Sequence, residues 1–135
     1  MEELRSFFPN STQGMIAVGT YHSATITASG KLYTWGLNGD GQLGIVDNYQ
    51  HRLLPVHVPF PQPIKFVACG VYHTAVITVT GELYACGSIG INNELGSQLK
   101  YVPVPAVSFV ACGGAHMAII TVTGDLYTYL SLIHI

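Results

Sequence analysis

The chain has 135 residues, of which 49% are hydrophobic and 9% are charged, and its mean hydropathy is +0.39. Disordered chains combine low hydrophobicity with high charge, so this composition excludes intrinsic disorder. A net charge of −2 with only five Lys and Arg residues excludes a strongly basic surface, and we expect neither a nucleic-acid nor a membrane partner. The 15 Gly and 8 Tyr residues favour β structure with many turns.

The N-terminal segment, residues 1–14, begins with the acidic sequence Met-Glu-Glu and lacks the basic and apolar regions of a signal peptide. The apolar runs of the chain are far shorter than the ~20 residues of a membrane-spanning helix. Three cysteines are too few for a disulfide framework. We therefore expect a cytoplasmic or nuclear protein.

The rest of the chain repeats itself. A motif of small apolar residues and Gly ends at His22, His73 and His116, and each copy continues with an apolar run, a Gly, a charged residue and Leu-Tyr. We divide the chain into residues 15–66 (repeat 1), 67–109 (repeat 2), 110–129 (partial repeat 3) and 130–135 (tail). The tail fits no part of the repeat, and we interpret it as a non-native end.

The local pattern within each repeat is typical of β-strands. Apolar and polar residues alternate, β-branched residues are frequent, and a Gly ends each run. Gly81 suits a tight hairpin turn that requires a positive φ. The Pro-rich stretches at 55–63 and 103–105 predict an edge or outer strand, because Pro cannot donate to a sheet ladder. For the second repeat we predict four strands, over residues 65–69, 73–79, 82–86 and 102–107.

Two stretches resemble the repeat of the regulator of chromosome condensation family. Residues 32–44 read Leu-Tyr-Thr-Trp-Gly-Leu-Asn-Gly-Asp-Gly-Gln-Leu-Gly, and residues 67–75 read Val-Ala-Cys-Gly-Val-Tyr-His-Thr-Ala. The resemblance runs from Met15 to Thr128 and implies an all-β fold, a partial β-propeller of about two and a half four-stranded blades. The resemblance implies a ring of seven blades, which needs ~350 residues, so we expect a fragment of a longer product.

Positions that recur in the copies are expected to support the structure of the repeat. These positions are Gly19, His22, Gly30, Trp35, Gly36, Gly44, Gly70, His73, Gly81, Gly87, Gly96, Gly113, His116 and Gly124. A related propeller senses ultraviolet light through clustered tryptophans, whereas Trp35 is the single tryptophan of this sequence. No such cluster is therefore expected here.

The remaining chemical motifs favour structural roles. Equivalent histidines on successive blades would not converge on one ion, and the cysteines have no C-x-x-C spacing and occupy small core positions. Residues 39–44 match G-x-G-x-x-G, but no helical pattern follows, so we interpret them as a turn of the repeat. We predict no catalytic, cofactor-binding or metal-binding residue, and whether the complete protein is an enzyme stays open.

One polar stretch between the repeats is the predicted partner site, because loops on a rigid scaffold carry binding residues. It consists of Asp47, Asn48, Tyr49, Gln50, His51 and Arg52. Our first hypothesis is a propeller that presents loops to a protein partner. The resemblance also implies two alternatives: guanine-nucleotide exchange on a small GTPase, as in the founding member of the family, or the propeller domain of a larger ubiquitin ligase.

Overall fold

A computed structural model describes residues 14–46, 50–89, 94–129 and 133–134. All of the regular structure in these residues is β-strand. The first sheet contains β1 (Met15–Val18), β2 (His22–Ile26), β3 (Leu32–Leu37) and β4 (His51–Val58). The second contains β5 (Ile64–Cys69), β6 (His73–Thr78), β7 (Leu83–Ser88) and β8 (Glu94–Val102). The third contains β9 (Val107–Cys112), β10 (Met117–Thr121), β11 (Leu126–Tyr129) and β12 (Ile133–His134).

Each sheet is an antiparallel meander in which strands adjacent in the chain pair with each other. We call the three sheets blade 1, blade 2 and blade 3. Strand β5 packs against β1 and β2, and β9 packs against β5 and β6. The first strand of each blade therefore lies beside the first strand of its neighbour, with the fourth strand outermost. This is the arrangement of a β-propeller, and the predicted all-β, partial-propeller fold is confirmed.

Two apolar layers hold the blades together. The layer between blades 1 and 2 includes Ala24, Ile26 and Leu32 on one side and Val67 and Val76 on the other. The layer between blades 2 and 3 has the same design. It contains Ala75, Ile77, Leu83, Ala85, Val110, Met117 and Ile119. Blade 2 is covered on both faces, and every residue of its second strand is buried.

The hairpin turns between the second and third strands are built alike. Gly30, Gly81 and Gly124 have φ of 85°, 88° and 89°, so the predicted positive φ at this position is confirmed. In the second blade, the amide of Glu82 donates to the Thr78 hydroxyl at 3.1 Å, and the first and third blades repeat this bond. A threonine hydroxyl of each turn thus provides a hydrogen-bond acceptor for a backbone amide of the same turn.

The predicted fourth strand at 102–107 is wrong. Val102 ends β8, Val107 begins β9, and Pro103 lies in the connection between the two blades. The amide of Val104 donates to the Val102 carbonyl at 2.9 Å, which turns the chain immediately after the strand. The true fourth strand contains Gly, Ser, Gln and Lys, and this polar composition hid it from an apolar pattern.

The prolines are only in part where we expected them. Pro55 lies in β4, the outermost strand of blade 1, as predicted. The later prolines of both stretches lie in the connections between blades, where a missing amide donor costs nothing. In the tail, β12 pairs with β11 through Tyr127↔His134 and Thr128↔Ile133. The interpretation of 130–135 as non-native stays a prediction.

Candidate interaction face

The blades present two opposite ends. At one end lie the connections from first to second strand and from third to fourth strand, including residues 19–21, 38–46, 70–72 and 113–116. We call this end the histidine face, because His22, His73 and His116 lie there. The hairpin turns and the connections between blades lie at the other end, the hairpin face. Loops on such a scaffold are the natural place for binding residues.

The glycine and histidine of each repeat brace the histidine face. The amides of Gly19, Gly70 and Gly113 donate to the carbonyls of His22, His73 and His116 at 2.8, 2.9 and 2.8 Å. Gly19 and Gly70 also touch the next blade. A side chain on Gly19 would collide with the carbonyl of Gly70, and one on Gly70 would collide with the carbonyl of Gly113. The small residue is required by the close approach of successive blades.

A buried hydrogen-bond chain joins blade 1 to blade 2. The Thr74 hydroxyl donates to the Gln42 carbonyl at 2.5 Å. With its proton used there, the hydroxyl accepts from His22 Nε2 at 2.7 Å, so His22 carries its proton on Nε2. The chain links the turn at 39–44 to strand β6, and our interpretation of that G-x-G-x-x-G sequence as a turn of the repeat is confirmed.

His73 makes no hydrogen bond like that of His22, because blade 3 has Met117 at the position that Thr74 occupies in blade 2. Met117 offers no hydroxyl, and both ring nitrogens of His73 lack a hydrogen-bond partner among the described residues. The ring is fully buried all the same. The side-chain bond of His22, in contrast, goes to the Thr74 hydroxyl.

Burial keeps these imidazoles neutral. Loss of hydration is the main cause that lowers the pKa of His22 to about 4, with His73 as a second cause. The pKa of His73 is lowered to about 4, first by burial and then by His116, and contact with the main chain of His116 opposes the shift only in part. Both rings therefore serve as neutral packing groups at physiological pH.

The three thiols are core groups as well. Burial raises the pKa of Cys69 and of Cys86 to about 12, and it also raises that of Cys112. The Cys86 thiol donates to the Gln42 carbonyl at 3.6 Å, and those of Cys69 and Cys112 approach carbonyls of the neighbouring inner strand. Within the described ranges, no three His, Cys, Asp or Glu residues come together in a metal-binding group.

An exposed aromatic pair marks the histidine face. The rings of Tyr21 and Tyr72 stack with centroids 5.7 Å apart, and both are partly exposed to solvent. Their carbonyls accept from Leu37 N at 2.9 Å and Ser88 N at 2.8 Å, which fixes the two loops. The residue immediately before the repeat histidine is Tyr in blades 1 and 2 and Ala115 in blade 3. Comparing this position among the repeats would have indicated the tyrosine pair.

Beside the tyrosines lies a shallow groove of about 280 Å³. Its walls are the ends of the three inner strands and the residues that follow them. The lining residues are Val18, Gly19, Thr20, Cys69, Gly70, Val71, Cys112, Gly113 and Gly114. None of these residues carries a charge, and four of the nine are glycines.

The predicted partner stretch divides into two parts. Asp47, Asn48 and Tyr49 lie outside the described residues. His51 and Arg52 are not in a loop: they begin β4, where they pair with Leu37 and Gly36. Gln50 precedes the strand, and its carbonyl accepts from Asn38 N at 2.7 Å. Gln50 and His51 are exposed at the outer rim of the histidine face. Their role in binding stays a prediction.

The remaining repeat positions are placed in strands and turns. Trp35 is half-buried in β3, opposite Ser23. Gly36 and Gly87 have φ of 111° and 97° and lie against the loops that carry the two tyrosines. Gly44 and Gly96 also have positive φ, at 73° and 92°. No helix in the described part of the chain is long and apolar enough to cross a membrane.

The three four-stranded blades form part of a β-propeller, and the same Gly–His bond and hairpin turn recur in each blade. The Regulator of chromosome condensation (RCC1) repeat matches residues 29–77, and a second profile of the same repeat matches residues 64–95. The chain belongs to this repeat family.

Curated relatives and solved structures agree with this assignment. The chain is 39% identical to the ultraviolet-B receptor UVR8 of Arabidopsis thaliana, over 64% of this chain and 20% of the relative. It is 37% identical to the human probable E3 ubiquitin-protein ligase HERC3, over 56% of this chain and 8% of the relative. It is also 37% identical to the canine X-linked retinitis pigmentosa GTPase regulator, over 65% and 9% respectively.

Two crystal structures share the fold. Human WBSCR16 superposes with a TM-score of 0.75 at 23% identity, over 84% of this chain and 33% of that one. Yeast RCC1 (Prp20), solved bound to Kap60, superposes with a TM-score of 0.72 at 26% identity, over 84% and 31%. The chain therefore spans a fifth or less of these curated relatives and about a third of the two solved chains.

Proposed function

We propose that this chain is part of a protein-interaction propeller and that the histidine face binds a protein partner. The observation that carries the proposal is the exposed Tyr21–Tyr72 stack beside an uncharged groove. Tyr is enriched at protein interfaces because it offers a large rigid surface with one polar end. Gln50 and His51 on the rim of the same face supply polar contacts around that centre. Free thiols fit a cytoplasmic or nuclear location.

The proposal is tested by comparing matched variants in one binding assay. Partners of the full-length protein are identified by mass spectrometry after affinity capture, and each is then purified and titrated directly. We expect Tyr21→Ala combined with Tyr72→Ala to weaken binding at least tenfold. Lys31→Ala, on the hairpin face, is the control and should bind like the wild type. Equal binding by both variants, or loss only with Lys31→Ala, would refute the histidine face as the binding surface.

A finer function, nucleotide exchange on a small GTPase, has separate support. One curated relative is named a GTPase regulator, and yeast RCC1 has the same blade architecture. Such an activity would act by inserting loops rather than by covalent chemistry, consistent with neutral histidines and protonated thiols. We expect the full-length protein to accelerate release of a fluorescent guanine nucleotide from one member of a GTPase panel. No acceleration with any member would remove this candidate and leave the interaction proposal intact.

The other specific function considered is that of a propeller domain within a larger ubiquitin ligase. Its support is the similarity to HERC3, whose matched part is a small share of that protein. Ubiquitin transfer would require a catalytic domain elsewhere in the product. Incubation of the full-length protein with ubiquitin, activating enzyme and conjugating enzymes should then yield ubiquitin chains; their absence would exclude this role.

A further inference from the structure

The outer side of the propeller has a groove where blades 1 and 2 meet, with a volume of about 550 Å³. Three segments line it: residues 44–46 after the turn of blade 1, residues 58–61 at the end of β4 and in the connection that follows, and residues 98–99 in β8. We call it the seam groove. Both of its walls belong to neighbouring blades of this chain, so the groove lies within the arc rather than at either end of it. Its volume lies in the range of roughly 300–1,000 Å³ that ligand-binding clefts have.

The seam groove continues the apolar layer between blades 1 and 2. One of its lining residues, Val58, is buried in that layer. Ile45, Phe60 and Leu99 pack against the same layer and also line the groove, and they are half-buried. Val46 at the edge is 73% exposed. Removing apolar surface from water is favourable, so the groove favours an apolar occupant.

A row of aromatic side chains leads out of the seam groove. Phe60 lines the groove and meets Tyr84 edge to face, with ring centroids 4.7 Å apart. Tyr84 in turn meets Tyr101 with centroids 5.6 Å apart, and the two tyrosines pair across β7 and β8. Tyr101 is 51% exposed. The row therefore extends the apolar surface of the groove toward solvent with flat rings on which a ligand packs well.

The residues that line the seam groove carry no charge. Gln98 is the single polar side chain among them, and it is exposed. A charged group that entered the groove would lose hydration without meeting an opposite charge on these residues. The groove therefore selects an occupant that is uncharged at the residues that enter it.

The seam between blades 2 and 3 has a valine in place of the first ring of this row. Phe60 lies two residues beyond the end of β4, and the residue two beyond the end of β8 is Val104. Val104 packs against the apolar layer of its seam as Phe60 does against the layer between blades 1 and 2. The aromatic ring is therefore a feature of the first seam, and Val104 shows which residue the fold accepts in its place.

We propose that the seam groove binds an extended, uncharged, proline-containing segment of a protein partner. Such segments favour the polyproline II conformation before they bind, and they dock into grooves lined by aromatic side chains. Residues 44–46 belong both to the histidine face and to the seam groove, so a partner held on that face has the groove within reach. The inference rests on the proposed function of a protein-interaction propeller, but it uses a separate surface from Tyr21 and Tyr72.

Peptide selection against the full-length protein tests this proposal without a sequence chosen beforehand. A phage-displayed library of short random peptides is selected on the immobilised protein, and enriched peptides are labelled and titrated by fluorescence polarisation. We expect peptides rich in proline and apolar residues with no charge at their central positions. Val46→Glu and Gln98→Glu should each weaken their binding about tenfold or more, because either places a carboxylate beside the apolar segment. Val79→Glu, at an exposed position on the hairpin face of blade 2, is the control and should bind like the wild type.

Phe60→Val tests the aromatic row with the residue that the second seam already has. The variant should fold like the wild type by circular dichroism and bind the enriched peptides about tenfold or more weakly, since it removes the ring on which they pack. Val46 and Gln98 are exposed, so their variants decide the question if Phe60→Val does not fold.

Three outcomes would overturn the proposal: a selection that enriches no peptide, enrichment of charged peptides, or peptides that bind every groove variant as tightly as the wild type. Tyr21→Ala combined with Tyr72→Ala should leave binding of the enriched peptides unchanged. Failure of the seam groove and failure of the histidine face are therefore distinguishable.

Discussion

At the scale of single residues, the repeat uses one histidine position in two ways. His22 Nε2 donates a hydrogen bond to the Thr74 hydroxyl, which in turn donates to the Gln42 carbonyl. His73 occupies the same position, but Met117 leaves it without that partner. Removing one member of a buried hydrogen-bond chain costs the desolvation free energy of the groups left behind. The two histidines therefore make different contributions to the contact between blades.

Thr74→Val tests this chain with an almost isosteric change. It leaves the His22 imidazole and the Gln42 carbonyl without their hydroxyl partner, and we expect the free energy of unfolding to fall by about 1–3 kcal/mol. Thr74→Ser keeps the hydroxyl and loses only a methyl group, so it should cost about 1 kcal/mol. Urea denaturation followed by circular dichroism measures both. Equal stability of Thr74→Val and the wild type would contradict the role of this chain.

The lowered pKa values of His22 and His73 make stability depend on pH. Both groups have a pKa of about 4 in the folded state against 6.5 ordinarily, so the unfolded chain binds more protons between these values. Their contribution is complete above pH 6.5 and declines as the pH falls to about 4. We expect each histidine to account for a loss of about 1–3 kcal/mol over that window.

Urea denaturation at pH 7.5, 6, 5 and 4.5 measures this loss. His22→Gln and His73→Gln should each flatten the dependence on pH. His57→Gln, at an exposed histidine on β4, is the matched control. A wild type equally stable at pH 7.5 and pH 4.5 would contradict the lowered pKa values of the two buried imidazoles.

At the scale of elements, the turns of one blade are shaped by the next blade. Gly41 has a φ of 80°, and a side chain there would meet the Cα of Ser97, 2.8 Å away, in blade 2. Ser97 lies in a bulge of β8, where the pairs Ala85↔Lys100 and Gly87↔Gly96 leave extra residues on the outer strand. The outer strand of one blade thus packs on the turn of the blade before it. A bulge suits this purpose because it redirects the strand locally.

The glycine after the first strand gives a sharp test at this scale. Gly70→Ala would place a methyl group against the His73 ring and the Gly113 carbonyl, so the second and third blades would have to separate. We expect a loss of about 2–4 kcal/mol in the free energy of unfolding. Gly114→Ala is the control, because its methyl group would meet only Val71 Cγ2, at an ordinary 3.7 Å. Similar stability of the two variants would contradict the close contact at Gly70.

At the scale of the whole molecule, burial is uneven along the arc. Blade 2 lies between two neighbours, and every residue of β6 is buried. Strands β1 and β11 lie in the first and third blades, and both are partly exposed. Local opening requires less free energy where fewer apolar contacts are broken. Stability should therefore decrease from the middle blade toward both ends.

Hydrogen exchange followed by mass spectrometry measures this gradient. In dilute solution we expect the amides of β6 and β7 to exchange slowest and those of β1 and β11 fastest. Uniform exchange across the three blades would contradict the gradient.

The sequence alone determined the features that depend on local chemistry. The period of the repeat, the β pattern of its first three strands and the positive φ at Gly81 follow from alternation and from glycine placement. These features need only a few neighbouring residues, so an isolated stretch of sequence contains their cause. The resemblance of residues 32–44 and 67–75 to a known repeat added the propeller.

Only the tertiary structure decided which residues meet across blades. The fourth strand was misplaced because its outer position lets polar residues and a bulge replace the apolar pattern. The Tyr21–Tyr72 stack and the His22–Thr74–Gln42 chain join residues that are distant in sequence. Burial and partnership are properties of packing between blades, and one repeat read by itself does not contain them.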